Sequence, residues 1–155
     1  MTTTLIGKPA PAFQAESTFG IISLAQCKGR GVVLYFYPKD NTPGCTTETQ
    51  DFRDAHEAFL ELGCVVIGVS RDSLKSHQNF SAKLELPFPL IADTDEVVCN
   101  TYGVIKQKKM YGKDVRGIER STFLIDAQGK LVQEWRGLKV PGHVQEVLQS
   151  AKSMT

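Results

Sequence analysis

Val32–Tyr37 (VVLYFY), the run Pro38–Glu48 (PKDNTPGCTTE) directly after it, and Cys64–Val69 (CVVIGV) decide how this chain folds. The first and third segments are short runs of β-branched and aromatic residues without polar alternation, the pattern of strands buried on both faces of a sheet. Between them, from about Pro43 to Leu62, Phe52, Ala55, Phe59 and Leu62 recur at helical spacing, with Glu, Asp and Arg on the other side. Strand, helix and strand in this order predict a right-handed βαβ unit whose helix starts at the carboxyl end of the first strand. Cys45 falls at that junction.

The alternation continues outward. Ser73 can cap a second helix running to about Glu85, Leu90 and Ile91 suit a third short strand, and Asp93 or Thr94 opens a third helix through Thr101. STFLID, AQGK and LVQEW read as a β-hairpin turning near Asp126–Gly129, and His143–Lys152 has the pattern of a closing helix. The expectation is an α/β sandwich with a mixed sheet flanked by helices. No repeat, low-complexity tract or Pro/Gly/Ser linker divides the chain, so residues 1–155 read as a single domain.

Bulk properties exclude several function classes. With 18 Lys+Arg against 17 Asp+Glu the net charge is +1, which gives no large field for nucleic acid or acidic lipid. No window approaches the roughly 20 apolar residues of a membrane span, and the amino terminus lacks a signal-peptide pattern; a cytoplasmic protein is expected. Cys27, Cys45, Cys64 and Cys99 are too few and too scattered for a disulfide scaffold, and none form C-x-x-C. His56, His77 and His143 show no metal-ligand spacing, and the glycines of KGRG and YGKDVRG do not make a phosphate loop, so no metal or nucleotide cofactor is expected. KQKKMYGK, Lys106–Lys113, reads as a solvated loop that can also dock a protein reductant.

The strand-to-helix junction is where open α/β sheets collect ligands. With Thr42 as N-cap and Pro43 at the first helical position, Cys45 is the third helical residue, among amides that lack intrahelical partners. The positive helix end there favours thiolate over thiol. The Thr42 hydroxyl can cap the helix or turn toward the sulfur, and Pro38, without an N–H, shapes the loop that limits water access. Nucleophilicity falls as thiol acidity rises, so a fast thiolate reaction also needs fixed donors aimed at the developing charge. Arg120 immediately precedes STFLID and reaches the same edge if that strand runs antiparallel to Val32–Tyr37. Thr-Pro-Gly is also an ordinary way to begin a helix, so the wider pattern must decide.

The run YFYPKDNTPGCTTE resembles the Pro-x-x-x-Thr-x-x-Cys active-site signature of peroxiredoxins. Its surroundings (GKPAPAF, GVSRDS, FPLIAD, YGV, MYGK and RSTFLID) are similar to the Q-type, or bacterioferritin-comigratory, subgroup over almost the whole chain. The resemblance implies a thioredoxin-like fold and a thiol-dependent peroxidase that reduces hydrogen peroxide and organic hydroperoxides without metal, haem or flavin. It implies a peroxidatic cysteine at Cys45, a hydroxyl donor at Thr42, a shielding proline at Pro38 and a guanidinium at Arg120. Glu48 matches a common helix position of the subgroup. The implied cycle passes through a Cys45 sulfenic acid, recycled by thioredoxin or another thiol in a monomeric protein.

The resemblance also raises a question about the second thiol. In many relatives a resolving cysteine lies five residues after the first, where this chain has Gln50; others carry it in the next helix, where this chain has Ser81. Cys64 follows a helix of some 17 residues beginning at Cys45, which places it roughly 25 Å away, beyond the 4.4–6.8 Å Cα separation of a disulfide. Cys27 precedes the strand that ends at the site and belongs at the opposite edge. Cys99, early in a helix at the active-site edge, is the best internal candidate. Three explanations stay open: reduction by an outside thiol, a Cys45–Cys99 pair, or an engineered serine in place of cysteine at Ser81. Rival functions are a disulfide reductase, which lacks its C-x-x-C, and a stoichiometric redox sensor.

Overall fold

A computed structural model describes residues 4–154. In chain order the elements are β1 (Gln14–Ser17), β2 (Gly20–Ser23), a 3-10 turn (Ala25–Cys27), β3 (Gly31–Phe36), α1 (Pro43–Glu61), β4 (Cys64–Ser70), α2 (Leu74–Leu84), β5 (Leu90–Ala92), α3 (Val97–Thr101), β6 (Ile105–Met110), β7 (Lys113–Ile118), β8 (Ser121–Ile125), β9 (Leu131–Arg136) and α4 (His143–Met154). Seven strands form one sheet in the order β2-β1-β5-β4-β3-β8-β9. β3, β4 and β5 are parallel, β8 joins β3 and β1 joins β5 antiparallel, and β9 and β2 pair antiparallel with β8 and β1 in turn, so the expected mixed sheet is present.

Every residue of β3 is buried because both faces of the sheet are covered. Val33, Tyr35 and Tyr37 face one core with Phe52 and Phe59 of α1, Phe80 of α2 and Val147 of α4. Val32, Leu34 and Phe36 face the other, with Val98, Cys99 and Tyr102. Tyr35 ties α1 to the sheet: its ring stacks on Phe52 at 4.5 Å between centroids and its hydroxyl donates to Thr49 Oγ1 at 3.1 Å. Gly68 on β4 makes room for that ring, since a Cβ there would stand 2.8 Å from Tyr35 Cζ.

Ser73 caps α2 as expected, its Oγ accepting from the Ser76 amide at 3.1 Å. Asp93 serves the third helix through both carboxylate oxygens, which accept from the Val98 and Cys99 amides, although the helix itself starts later, at Val97. The hairpin β8–β9 is closed by Asp126 Oδ1, which accepts from Gln128 and Lys130 amides.

Two hairpins depart from the sequence reading. Lys106–Lys113 lies not in a loop but within the two-stranded β6–β7 ribbon. Its turn, Tyr111–Gly112, has both φ values positive (53° and 76°), as a tight two-residue hairpin requires. The lysines hid the strands because the ribbon covers little core and has no strict apolar face. The amino-terminal hairpin β1–β2 was hidden for the same reason: only Ser17 and Ser23, the last residue of each strand, are buried.

Candidate active site

β3 ends beneath the site. The loop from Pro38 to Thr42 carries the chain over the sheet edge with Asn41 in the left-handed region (φ 63°), a conformation Asn tolerates. The Thr42 hydroxyl donates to the Lys39 carbonyl at 2.8 Å and closes this turn. Thr42 is the N-cap residue of α1, but its side chain makes no capping bond and its donor does not point at sulfur; the short turn uses it instead. Pro43 occupies the first helical position and Cys45 the third. Cys45 is 1% exposed, within the core that also holds Tyr35 and Phe52, although its neighbours Pro43 and Gly44 are open.

β8 pairs antiparallel with β3, placing Ser121 opposite Phe36 and bringing Arg120 to the site edge. Arg120 Nη2 lies 3.3 Å from Cys45 Sγ, donating to it, and Nη1 donates to Glu48 Oε1 at 2.7 Å. Gly44 permits this approach: a Cβ there would stand 3.3 Å from Nη2. Burial opposes the Arg120 charge, but Glu48 and Cys45 outweigh it and hold the guanidinium protonated. The sulfur therefore lies against a fixed cation, on the third residue of a helix whose amino end is positively polarised, surroundings that favour a cysteine nucleophile.

Glu48 is the residue that sequence reasoning placed but did not use. It is fully buried, on the α1 face that also carries Cys45, Thr49, Phe52, Ala55 and Phe59, rather than with the charged residues on the solvent side. Burial pushes its carboxyl up to about 7, against the pull of Arg120. Its second oxygen has no hydrogen-bond partner among the described residues. The available signal was a carboxylate three residues after Cys45, in register with the apolar stripe. Behind Arg120, Thr122 Oγ1 and His143 Nε2 are 2.8 Å apart, and burial, then the Arg120 charge, lowers His143 to about 4.

A second polar cluster anchors the loop. Asp40 Oδ2 lies 2.7 Å from His77 Nδ1 and accepts from Ser76 Oγ, while Oδ1 accepts from Tyr37. His77 Nε2 donates to the Ile91 carbonyl at 2.8 Å. The Asp40 amide donates to Asp72. The loop before Cys45, the start of α2 and strand β5 are thus pinned together.

Among the described residues the remaining sequence candidates form no hydrogen bond or ion pair with Cys45 or Arg120. Pro38 is exposed and lines a cavity with Lys39. Ser81 lies on α2, one residue after Phe80, which packs in the same core as Cys45. Cys99 lies in the other core, across the sheet from Cys45, so a direct pair would require α3 to leave its place. Burial, then the Asp93 carboxylate, raises the Cys99 thiol far above the ordinary range. Cys64 pairs in register with Gly31, at the far end of β3, and Cys27 precedes that end. All four cysteines are free thiols.

A profile of the AhpC/TSA family matches residues 6–134. The chain is 51% identical to peroxiredoxin Bcp of Bacillus subtilis over 97% of this chain and 96% of that protein. It is 49% identical to a putative peroxiredoxin bcp of Coxiella burnetii, covering 92% and 95%. Among solved structures, peroxiredoxin Q of Xanthomonas campestris superposes with a TM-score of 0.89 at 47% identity, covering 97% of each chain. A second Xanthomonas campestris structure with the same TM-score and identity, covering 97% and 98%, is a trapped intermediate/ligand complex bearing on alkyl peroxide reduction by its bacterioferritin comigratory protein. The shared architecture is the thioredoxin-like fold.

Proposed function

The chain belongs to the AhpC/TSA family, and on that premise we propose that Cys45 is its peroxide-reacting thiol and Arg120 the group that stabilises the reaction's charge. The protein is a thiol-dependent peroxidase of the peroxiredoxin kind. The Cys45 thiolate attacks one oxygen of a hydroperoxide, an S–O bond forms as the O–O bond breaks, and the departing oxygen takes a proton to leave as water or an alcohol. Sulfur supplies both electrons and becomes a sulfenic acid. Two equivalents of thiol then return Cys45 to the thiolate, releasing water and a disulfide.

The observation that carries this reading is the 3.3 Å contact between Arg120 Nη2 and Cys45 Sγ at the third residue of α1. Charge spreads over both peroxide oxygens in the transition state, and the Arg120 fork and the first-turn amides supply donors that need no rearrangement. Thr42 contributes by fixing the loop and Pro38 by shielding one side of the approach. Hydrogen peroxide and organic hydroperoxides are the substrates, and thioredoxin or a similar thiol is the reductant. The protein acts as a single-domain, cytoplasmic monomer. One equivalent of hydrogen peroxide should add one oxygen at Cys45, read by intact mass and thiol-trapping peptide mapping, and none in Cys45→Ser. Oxidation spread evenly over the four thiols would contradict the assignment.

A further inference from the structure

The peroxidase reading leaves open which thiol restores Cys45, and the molecule offers a feature beside the site that bears on it. Positions 50 and 81 hold Gln and Ser, Cys64 and Cys27 sit at the far end of β3, and Cys99 is across the sheet. The electrons must come from outside. A cavity of about 330 Å³ opens where the loop after β3 meets the β6–β7 ribbon, walled by Pro38, Lys39, Arg71, Lys106, Arg116 and Ile118. Pro38 begins the loop that leads to Cys45 and Ile118 lies two residues before Arg120, so the chain runs from two walls of the cavity directly into the site.

Its charge is one-sided. Glu96 pins both arginines, accepting from Arg71 Nη1 at 2.9 Å and from both Arg116 terminal nitrogens at 2.6 Å. One carboxylate against two guanidiniums leaves an excess cation. Arg71 Nε is buried without a hydrogen-bond partner among the described residues, and the guanidinium rests against Gly117. Lys39 and Lys106 add two charges with no ion-pair partner among the described residues. The whole chain carries only +1, so this local concentration is not a consequence of general basicity. Ile118 and the Pro38 ring supply an apolar floor. A cavity of this size, with an apolar floor and fixed guanidiniums, suits a small molecule bearing a carboxylate.

We propose that this cavity docks a low-molecular-weight thiol carrying at least one carboxylate, and that this thiol reduces oxidised Cys45. The proposal rests on the peroxidase reading above. The docked thiol attacks the Cys45 sulfenic acid, an S–S bond forms and the S–O bond breaks, and hydroxide takes the thiol proton to leave as water. A second thiol of the same class attacks, as its thiolate, the small-molecule sulfur of the mixed disulfide; the small disulfide forms as the bond to Cys45 breaks and Cys45 leaves as the thiolate. One hydroperoxide thereby consumes two thiols. A compact attacker also suits a cysteine that is only 1% exposed.

The test uses the full chain, oxidised by one equivalent of hydrogen peroxide and checked by mass before any thiol is added. N-acetylcysteine and its amide, matched in thiolate concentration, then compete to reduce it; they differ in one carboxylate. The acid should react roughly five- to tenfold faster at low salt, as expected for several partly screened charges, and the advantage should shrink in about 0.5 M salt. In the Lys106→Gln/Arg116→Gln double variant the ratio should fall below about twofold. Because the ratio is taken within one protein, a variant that folds poorly slows both thiols and leaves the comparison intact. Equal rates in the wild type, or a preference that survives the double substitution, overturns the proposal. So does a ratio of one accompanied by thioredoxin turnover that falls in the double variant, which assigns the surface to a protein partner. Absence of the oxygen gain at Cys45 overturns the peroxidase reading itself, and the docking site with it.

Discussion

Arg120 serves two acceptors with one planar fork, the Cys45 sulfur through Nη2 and the Glu48 carboxylate through Nη1. A lysine there keeps the charge and loses the fork, so it can satisfy one partner at a time. Arg120→Lys should slow Cys45 oxidation by hydrogen peroxide about 10- to 100-fold, measured by stopped-flow fluorescence or competition, in keeping with loss of one oriented donor; an unchanged rate would mean that the contact is incidental. Glu48 has the opposite character. Its folded value of about 7 lies above the ordinary 4.5, so its favourable contribution is complete below pH 4.5 and is lost as pH rises through 7. Glu48→Gln removes that titration. Relative to the wild type the variant should gain about 1–3 kcal/mol between pH 5 and pH 8, measured by urea unfolding, with little further change above that. Cys45 and Arg120 were legible because strongly patterned strands flank them: Cys45 lies in the first turn of the helix that follows β3, and Arg120 directly precedes β8. Glu48 was hidden because the charge pattern of α1 predicts solvent for a glutamate, and only the exact register of Cys45 with Phe52 shows otherwise.

At the level of elements, the loop before α1 is held by contacts that no short motif announces. Asp40 and His77 are 37 residues apart and both buried, joining the loop to α2, while the His77 bond to Ile91 reaches β5. His77→Leu leaves the Asp40 carboxylate without one of its two closest partners, and should cost about 3 kcal/mol in urea unfolding. A loss below about 1 kcal/mol would mean that Tyr37 and Ser76 suffice to satisfy Asp40. The three histidines lacked metal spacing in the sequence, and no periodicity distinguishes His77 as a loop anchor from a helix-packing residue; only the fold brings Asp40 to it. The central strands, α1, α2 and α4 were readable from their apolar period, which at α2 the Ser73 cap joins. The β6–β7 ribbon was not, because Lys106 and Lys109 are exposed and the pairing rests on backbone bonds and a Tyr111–Gly112 turn.

For the whole molecule, the sheet works as a partition. Cys45 and Cys99 occupy opposite faces, and Cys64 lies at the other end of β3, so one thiol meets Arg120 while the rest serve packing or stand apart. Among the described residues no helix is long and apolar enough to cross a membrane. The strand order that creates this separation follows from the parallel β3–α1–β4 unit with β8 added antiparallel, a topology that places the start of α1 and the start of β8 at one edge. Side-chain pattern predicted the strands, but which face each thiol takes depends on long-range packing. The protein is therefore expected to be a catalyst rather than a stoichiometric sensor, and the most direct test counts equivalents. With excess small thiol, peroxide consumption should reach many equivalents per wild-type chain and fall to the uncatalysed rate in Cys45→Ser. Consumption that stops at one equivalent, or continues undiminished in Cys45→Ser, would contradict it.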